Sequence, residues 1–414
     1  MSRTENITTS VGFDEKAIKA FLRSVQPPVL TPENLSEWLD KHGISIGYDE
    51  VGKSLVVGGM WDENPEQIES NLPALIFSRS QCEFQRCTLQ TVQAYISIVA
   101  SRNVINPVKN LIEPVEWDGV SRLPEIFAIL GISGDDLSKM LVRKWLLQCV
   151  SLLYNSVASP FGADGVLVLV GRQGIGKTCF FRRLAIESGL FGEGKCLNFG
   201  DKDTLISATS CWLTELGEIE STMRGDRERL KAFITSTVDE YRRPYARGST
   251  KALRRTSFCG SANTADFLTD QTGNRRFWTV PVEQIDLDKL DKLNVLQLWA
   301  EIKTLSDADR QAFRLTPEER EALANRNSNH TQFLPAEAEC ADLLADVSCS
   351  GYKVEWTLQS VTSFKERNPA LKNYSVRTIS AALDKIGVVA SIKKIDGKTQ
   401  RVRLLPRRIY NNVF

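Results

Sequence analysis

The sequence predicts an α/β protein with a sheet at its centre, an α-rich region before it and a small basic domain after it. Between residues 165 and 282, short apolar segments that end in polar residues alternate with helical stretches, a pattern typical of a sheet flanked by helices. Upstream, the apolar residues of "EKAIKAFLRSV" and "TLQTVQAYISIVASR" recur at helical spacing. Downstream, residues 351–414 carry 13 Lys and Arg against 4 Asp and Glu, a net charge of +9.

The length of 414 residues exceeds that of one ordinary domain. We expect three domains: an α-rich N-terminal domain over residues 1–135, a central domain with a helical appendage over residues 136–335, and a basic domain over residues 345–414. Within the first, "SIGYDEVGKSLVVGG" predicts a hairpin whose turn lies near residues 50–53.

The composition, 42% hydrophobic and 25% charged, is that of a globular protein with a substantial core. Nine cysteines lie at irregular spacings and only two histidines accompany them, so we expect reduced thiols and no zinc site. The N-terminus lacks the apolar stretch of a signal peptide, and no window approaches 18 consecutive apolar residues. These features predict a cytoplasmic protein without a membrane partner.

The stretch "GRQGIGKT" carries the strongest chemical signal. It fits the pattern G-x-x-x-x-G-K-[ST], in which backbone N–H groups wrap a phosphate, the lysine reaches the β- and γ-phosphates and the hydroxyl binds Mg²⁺. A buried strand precedes it and a helix follows, whereas a plain glycine-rich turn would match by chance in ~1% of such chains. The predicted nucleotide-binding residues are Gly171, Arg172, Gln173, Gly174, Ile175, Gly176, Lys177, Thr178 and Cys179.

Polar residues at the ends of other apolar segments supply candidates for catalysis. In "CWLTELGE", an apolar run ends at Glu215 and Glu218 follows three residues later. We assign both acids to Mg²⁺ and the attacking water and favour Glu215 as the metal partner, although the order within the pair stays open and Glu218 could instead begin a solvated helix. Asn263 ends "FCGSAN", where an amide could contact the γ-phosphate and a turn residue is the simpler interpretation. Arg275 and Arg276 precede the next strand as a basic turn or as an arginine supplied across a subunit interface.

Taken together, these segments resemble the virulence-associated protein E family of phages and mobile genetic islands. The resemblance rests on "WDGVSRL", "GRQGIGKT", "WLTELGEIE", "LKAFITSTVDEYRRPYAR", "GSANTADFLTDQTGNRRFWTVPV" and "LWAEI", and it covers residues 106–332. It implies a P-loop ATPase core of the AAA+ class, related to superfamily 3 helicases. It also implies a ring, expected to be a hexamer, that hydrolyses ATP at its interfaces and moves along DNA.

The resemblance assigns roles to the same residues. Lys177 and Thr178 correspond to the Walker A pair, Glu215 and Glu218 to the Walker B acids, and Asn263 to the sensor. The arginine finger corresponds to Arg275 or Arg276, which the sequence does not separate.

The segment "EYRRPYARGSTKALRR" corresponds to the hairpin that reaches into the pore of superfamily 3 rings. Its cations can neutralise phosphates and its tyrosines can stack on bases, although a basic surface loop is the simpler interpretation. Superfamily 3 hairpins often use a lysine and a histidine, and this segment has no histidine. Which of its side chains contact DNA therefore stays open. The candidate contacts to single-stranded DNA are Arg242, Arg243, Arg247, Lys251 and Arg254.

The basic C-terminal region has its own pattern. "TLQSVTSFKERNP" and "SVRTISAALDKIG" predict two helices, and "VVASIKKIDGKTQRVRLLP" predicts two strands around a turn, which together indicate a winged-helix-like domain. Its candidate contacts to duplex DNA are Arg377, Lys393, Lys394 and Lys398. A small lid or assembly domain with a basic surface is the alternative.

The sequence therefore predicts an ATP-dependent DNA helicase or translocase acting in replication of a phage or genomic island, with a primase among its expected partners. The alternative is a replication-origin binding protein that ATP switches without processive unwinding. A small-molecule kinase would leave the basic hairpin and the C-terminal region without a role. The polarity of travel and the origin sequence cannot be derived from the chain.

Overall fold

The structure is a computed structural model that describes residues 27–59, 68–217, 227–241, 250–263, 274–328, 339–341, 343–344, 353–372, 374–395 and 398–409. The predicted helix "EKAIKAFLRSV" lies outside these residues. None of the helices within them combines the length and apolar character needed to cross a bilayer.

The N-terminal unit, residues 27–105, combines helices with a small sheet. Its elements are α1 (Pro32–Lys41), β1 (Ser45–Asp49), β2 (Leu55–Gly58), α2 (Ile68–Ser80), α3 (Leu89–Arg102) and β3 (Val104–Ile105). Strand β1 pairs antiparallel with β2 and parallel with β3, which confirms the predicted hairpin. The sequence analysis did not predict β3, because a two-residue strand carries no sequence periodicity.

Side-chain caps fix where the N-terminal helices begin. The Thr31 hydroxyl accepts a hydrogen bond from the Asn34 backbone N–H at 3.2 Å, with Pro32 in the first turn of α1. Thr88 and Thr91 cap α3 reciprocally. The apolar faces of these helices, including Leu35, Trp38 and Ile96, enclose one core with β1.

The central unit, residues 106–328, contains a five-stranded sheet. Its helices are α4 (Pro107–Ile112), α5 (Leu123–Ile129), α6 (Asp136–Leu153), α7 (Lys177–Leu184), α8 (Lys202–Ala208), α9 (Arg227–Ile234), α10 (Leu287–Lys292), α11 (Val295–Ala308) and α12 (Pro317–Ser328). Its strands are β4 (Val166–Val170), β5 (Phe191–Lys195), β6 (Leu213–Leu216), β7 (Val238–Tyr241), β8 (Thr250–Leu253), β9 (Ser257–Ala262) and β10 (Phe277–Pro281).

The strand order of the sheet is β10-β4-β9-β6-β5, and all neighbouring pairs are parallel. The buried strand β4 lies between β10 and β9, and helices cover both faces, as a parallel sheet requires. Helix α6 packs behind the sheet, where the Trp145 indole N–H donates to Phe258 O at 2.8 Å and the Gln148 amide donates to Gly165 O at 2.9 Å. The predicted α/β core is therefore confirmed as a parallel sheet.

The apolar core of the central unit extends beyond the domain boundary expected from the sequence. Val108, Leu123, Ile126 and Ile129 belong to the same buried cluster as the strands and α6. The boundary drawn at residue 135 divides this core, because α4 and α5 are too short for their apolar periodicity to indicate which neighbour they pack against.

The C-terminal unit, residues 353–409, is a three-stranded antiparallel sheet with two helices. Its elements are β11 (Lys353–Gln359), α13 (Val361–Arg367), α14 (Val376–Lys385), β12 (Ala390–Ile395) and β13 (Lys398–Ile409), with β13 between β11 and β12. Ser360 and Ser375 cap the helices. Both predicted helices and the β12–β13 pair are present, whereas β11 occupies the residues from which the first helix was expected to begin.

Candidate functional site

The glycine-rich loop connects β4 to α7 at the carboxyl edge of the sheet. Gly174 and Gly176 adopt φ values of +83° and +95°, in the left-handed region that favours glycine. A Cβ on Gly171 would lie 2.1 Å from Val282 O, so the loop can approach the end of β10 only without a side chain there. The motif's glycines therefore have backbone reasons to be glycine, and the loop directs the first N–H groups of α7 outward.

Lys177, the first residue of α7, points back into this loop. Its side-chain nitrogen donates to Gly171 O at 2.6 Å and to Arg172 O at 2.8 Å, and it lies 3.4 Å from Asn263 Oδ1. Burial lowers the pKa of the Lys177 ammonium, and the charge of Glu215 partly offsets this effect. The ammonium is thus held by neutral oxygens at the mouth of the loop.

Glu215 lies beside the loop and accepts hydrogen bonds from two hydroxyl groups. Thr178 Oγ1 and Ser261 Oγ each donate to Glu215 Oε1 at 2.9 Å. The Glu215 residue is only 4% exposed. The structure therefore brings together Thr178 and Glu215, the two predicted Mg²⁺ ligands, and adds Ser261.

The oxygens of Thr178, Ser261 and Glu215 fit a hard cation such as Mg²⁺, which accepts one or two protein ligands and keeps several waters. Groups of three or more His, Cys, Asp or Glu that could hold a metal do not occur among the described residues. Among the described residues, this site therefore consists of one carboxylate and two hydroxyl groups.

Ser261 was missed by the sequence analysis although a signal for it existed. It lies near the end of β9, two residues before Asn263, which follows the strand. Strand β9 lies between β4, which leads into the loop, and β6, which carries Glu215. Ser261 and Asn263 therefore lie between the loop and Glu215. Asn263 is exposed at the end of β9, and Glu218 lies outside the described residues.

Arg275 and Arg276 lie at the opposite edge of the sheet from Lys177. They occupy a short 3₁₀ turn before β10, and Phe277 pairs with Val166 at the start of β4. The five residues of β10 place them about 16 Å along the strand from the edge that carries the loop, at ~3.3 Å per residue. They therefore do not contact the loop of their own subunit.

The two arginines differ in their surroundings. Arg275 is exposed, whereas Arg276 is half-buried and its Nε finds no hydrogen-bond acceptor among the described residues. Burial lowers the pKa of Arg276, and the adjacent charge of Arg275 adds to the shift. The Nε atom of Arg276 is buried, so only Arg275 presents its side chain fully to the surroundings in this structure.

The base of the basic hairpin is formed by β7 and β8, which pair from Val238 with Leu253 to Tyr241 with Thr250. Arg242, Arg243 and Arg247 lie outside the described residues. Lys251 is exposed on β8 and pairs in register with Glu240.

Arg254 requires a correction, because it is only 1% exposed. Its Nε donates to Asp239 Oδ1 at 2.6 Å, and its guanidinium lies over the rings of Phe233 and Phe258. A side chain so enclosed cannot contact DNA in this conformation, and it stabilises the hairpin base instead.

Three of the candidate cations in the C-terminal unit are exposed. Arg377 lies on α14, and Lys393 and Lys394 lie on β12. Lys398 begins β13. Arg403 on the same strand is buried and pairs with Asp384 at 2.7 Å, so it does not contribute to the exposed basic surface.

The sequence profile of the virulence-associated protein E-like domain matches residues 112–332, just over half of the chain. The chain belongs to this family. No curated protein matches the chain. Among solved structures, the apo C-terminal region of NrS-1 is similar at 13% identity over 92% of this chain and 100% of that chain, with a TM-score of 0.49. The SCCmec type IV protein Cch, described as an active helicase, is similar at 12% identity over 87% and 93%, with a TM-score of 0.38.

The family match shows which parts of this virulence-associated protein E-like chain belong to the family's domain. Residues 112–332 include the glycine-rich loop, Glu215, Asn263 and the two arginines. The N-terminal unit and the C-terminal unit lie outside the match. The hairpin base lies within it.

Proposed function

We propose that this chain is an ATPase that couples ATP hydrolysis to movement on DNA during replication of a phage or mobile genomic island. The observation that carries the proposal is the convergence of Lys177, Thr178, Glu215 and Asn263 from three neighbouring strand ends at one edge of the sheet. This grouping has the charge, the hydroxyl and the amide that phosphoryl transfer from a nucleotide requires.

Each of these residues would have a distinct role. Lys177 would contact the β- and γ-phosphates. These phosphates would compete for its ammonium with the loop carbonyls, which accept its hydrogen bonds in this structure. Asn263, 3.4 Å from the Lys177 nitrogen, would contact the γ-phosphate or the attacking water. Thr178, Ser261 and Glu215 would hold Mg²⁺, which neutralises charge on the phosphates when bound. Glu218 would orient the water.

The position of the arginines supports a shared site. Because Arg275 and Arg276 lie at the edge opposite the loop, either can reach a nucleotide only on a neighbouring subunit. We propose a homo-oligomeric ring, a hexamer by family resemblance, in which one of them completes the adjacent site. The basic hairpin, through Lys251 and the arginines of its tip, would contact single-stranded DNA in the pore, and a primase would be a further partner.

ATP hydrolysis by purified protein, with and without single-stranded DNA, tests this proposal. Lys177→Ala should reduce hydrolysis by at least ~100-fold, because a preorganised charge at the transferring phosphate is lost. Lys139→Ala, which removes an exposed i,i+3 ion pair on α6, is the matched control and should behave as wild type. Normal turnover in folded Lys177→Ala protein would contradict the ATPase assignment.

Two further arms of this experiment separate the alternatives. Mixing Lys177→Ala subunits with Arg275→Ala or Arg276→Ala subunits should restore activity at mixed interfaces only for the arginine that acts in trans. A forked duplex should be unwound by wild type. ATP turnover without strand displacement would favour the alternative, an ATP-switched origin binding protein.

We also propose that the C-terminal unit binds duplex DNA through Arg377, Lys393 and Lys394. Three exposed cations on adjacent elements provide the electrostatic surface of a polyanion binder. Replacing Lys393 and Lys394 with Gln should reduce the log–log salt slope of duplex binding by ~1.8, since each phosphate contact contributes ~0.9. A slope equal to that of wild type would show that this surface does not contact duplex DNA.

A further inference from the structure

The turn between β1 and β2 in the N-terminal unit inserts into the central unit. Val51, at the turn, is 1% exposed and belongs to the core cluster of the central unit. Lys53 adopts a left-handed conformation with φ of 58°, which is strained for a residue with a side chain. The turn is held by hydrogen bonds from Lys53 N to Asp49 O at 2.8 Å and from Val51 N to Asp49 Oδ1 at 2.7 Å.

This conformation directs the Lys53 side chain onto the base of the basic hairpin. Its nitrogen lies 2.9 Å from Asp239 Oδ2 and 2.5 Å from Thr209 O. Asp239 is on β7, and its other oxygen pairs with Arg254. The three charged side chains are 1–5% exposed, so one carboxylate is shared by two buried cations.

Two more contacts join the same turn and strand to the hairpin. The Glu50 carboxylate pairs with Arg255 at 2.8 Å, and the Tyr48 hydroxyl hydrogen-bonds the Tyr241 hydroxyl at the last described residue of β7. The Tyr241 ring is buried in the core of the N-terminal unit. All three contacts connect residues 48–53 with the hairpin base.

The hairpin base also lies next to the nucleotide site along the chain. Arg254 and Arg255 follow β8 and precede β9. Strand β9 then runs, at ~3.3 Å per residue, to Ser261 and Asn263 at the loop. A displacement of the hairpin base would therefore act on the strand that carries two of the site's polar groups.

We propose that Tyr48, Glu50 and Lys53 are positioning residues that hold the β7–β8 hairpin in a fixed position relative to β9, so that the N-terminal unit is required for DNA to stimulate ATP hydrolysis. This inference rests on the proposed function for its DNA readout. It assigns the N-terminal unit the role of a fixed support for the hairpin.

Lys53→Met in the full chain tests the support directly. The substitution keeps the unbranched length and removes the charge, with Lys41→Met on the exposed surface of α1 as the matched control. Hydrogen exchange of the β7 and β8 amides should become about tenfold faster in Lys53→Met, while β4 and β9 retain their protection. Unchanged protection of β7 and β8, or equal loss across the whole central sheet, would overturn the positioning role.

Rates of ATP hydrolysis with and without single-stranded DNA distinguish a loss of stimulation by DNA from a general loss of activity. Lys53→Met should keep the basal rate of ATP hydrolysis and lose most of its stimulation by single-stranded DNA, whereas Lys41→Met should keep both. Stimulation equal to that of wild type would contradict the inference. A wild-type protein that single-stranded DNA does not stimulate would refute the proposed function instead, and hydrogen exchange would still decide whether the turn holds the hairpin.

Tyr48→Phe provides a second variant if Lys53→Met fails to fold. It removes only the hydroxyl that bonds Tyr241 and leaves the ring in its core. We expect a smaller effect in the same direction, with faster exchange at Tyr241 and partial loss of DNA stimulation. Wild-type exchange and wild-type stimulation in this variant would overturn the proposal.

Discussion

Lys177 and Lys53 are both nearly enclosed, with exposures of 7% and 4%, yet their partners differ in kind. Lys177 donates to two backbone carbonyls of its own loop, and within the described part of the chain no carboxylate lies at ion-pair distance from it. Lys53 is ion-paired with Asp239, which Arg254 also contacts. Burial lowers the pKa of both ammonium groups.

The difference indicates which lysine is prepared for a ligand. Carbonyl oxygens are neutral, so an incoming phosphate can compete for the Lys177 ammonium and supply the negative charge it lacks. The Lys53 ammonium already has a buried counter-charge, and separating the pair would leave two uncompensated charges in the protein interior. The first arrangement suits a binding site, and the second suits a permanent contact between two units.

The two buried carboxylates offer the sharpest test of this comparison. Asp239→Asn should destabilise the protein by ~3–5 kcal/mol, because it leaves Lys53 and Arg254 buried without a counter-charge. Glu215→Gln is the matched change at the nucleotide site and should alter the unfolding free energy by less than ~1 kcal/mol, since the hydroxyls of Thr178 and Ser261 can rotate to suit an amide. Chemical denaturation measures both.

Equal losses in these two variants would contradict the distinction between a binding site and a structural contact. If Glu215→Gln were the more damaging of the two, Glu215 would be a structural residue. The proposed Mg²⁺ site would then require a different carboxylate.

Apart from Ser261, the described groups of the nucleotide site could be predicted from the sequence, whereas the contacts at the hairpin base could not. Lys177, Thr178 and Glu215 could be predicted to meet because each ends or follows a strand of one parallel sheet, and such ends lie at a common edge. Asp239 lies 15 residues from Arg254 and 186 from Lys53, and no local sequence pattern indicates which residues form ion pairs at such separations. Arg254 was therefore misread as a surface cation among five other basic residues.

The N-terminal unit shows the same limit. The β1–β2 hairpin was predicted from its turn, and its turn lies where expected. Neither the burial of Val51 in the neighbouring core nor the inward direction of Lys53 follows from the sequence. Lysine and glutamate in a turn normally indicate solvent exposure. A left-handed φ at a lysine is a tertiary feature that only the structure reveals.

The smallest expected effect is a pH dependence that belongs to Lys53. Burial lowers the pKa of Lys53 to about 8, against the opposing charge of Asp239, whereas the unfolded chain retains an ordinary lysine pKa near 10.5. Between these values the unfolded state binds more protons, so this group makes the unfolding free energy rise with pH.

Between pH 7.5 and 9.5 the rise should be ~1–2 kcal/mol for wild type relative to Lys53→Met. Denaturation curves of wild type, Lys53→Met and Lys41→Met at the two pH values measure it. Parallel pH dependence in wild type and Lys53→Met would show that the pKa of Lys53 is the same in the folded and unfolded states, and that the charge of Asp239 offsets the effect of burial in full.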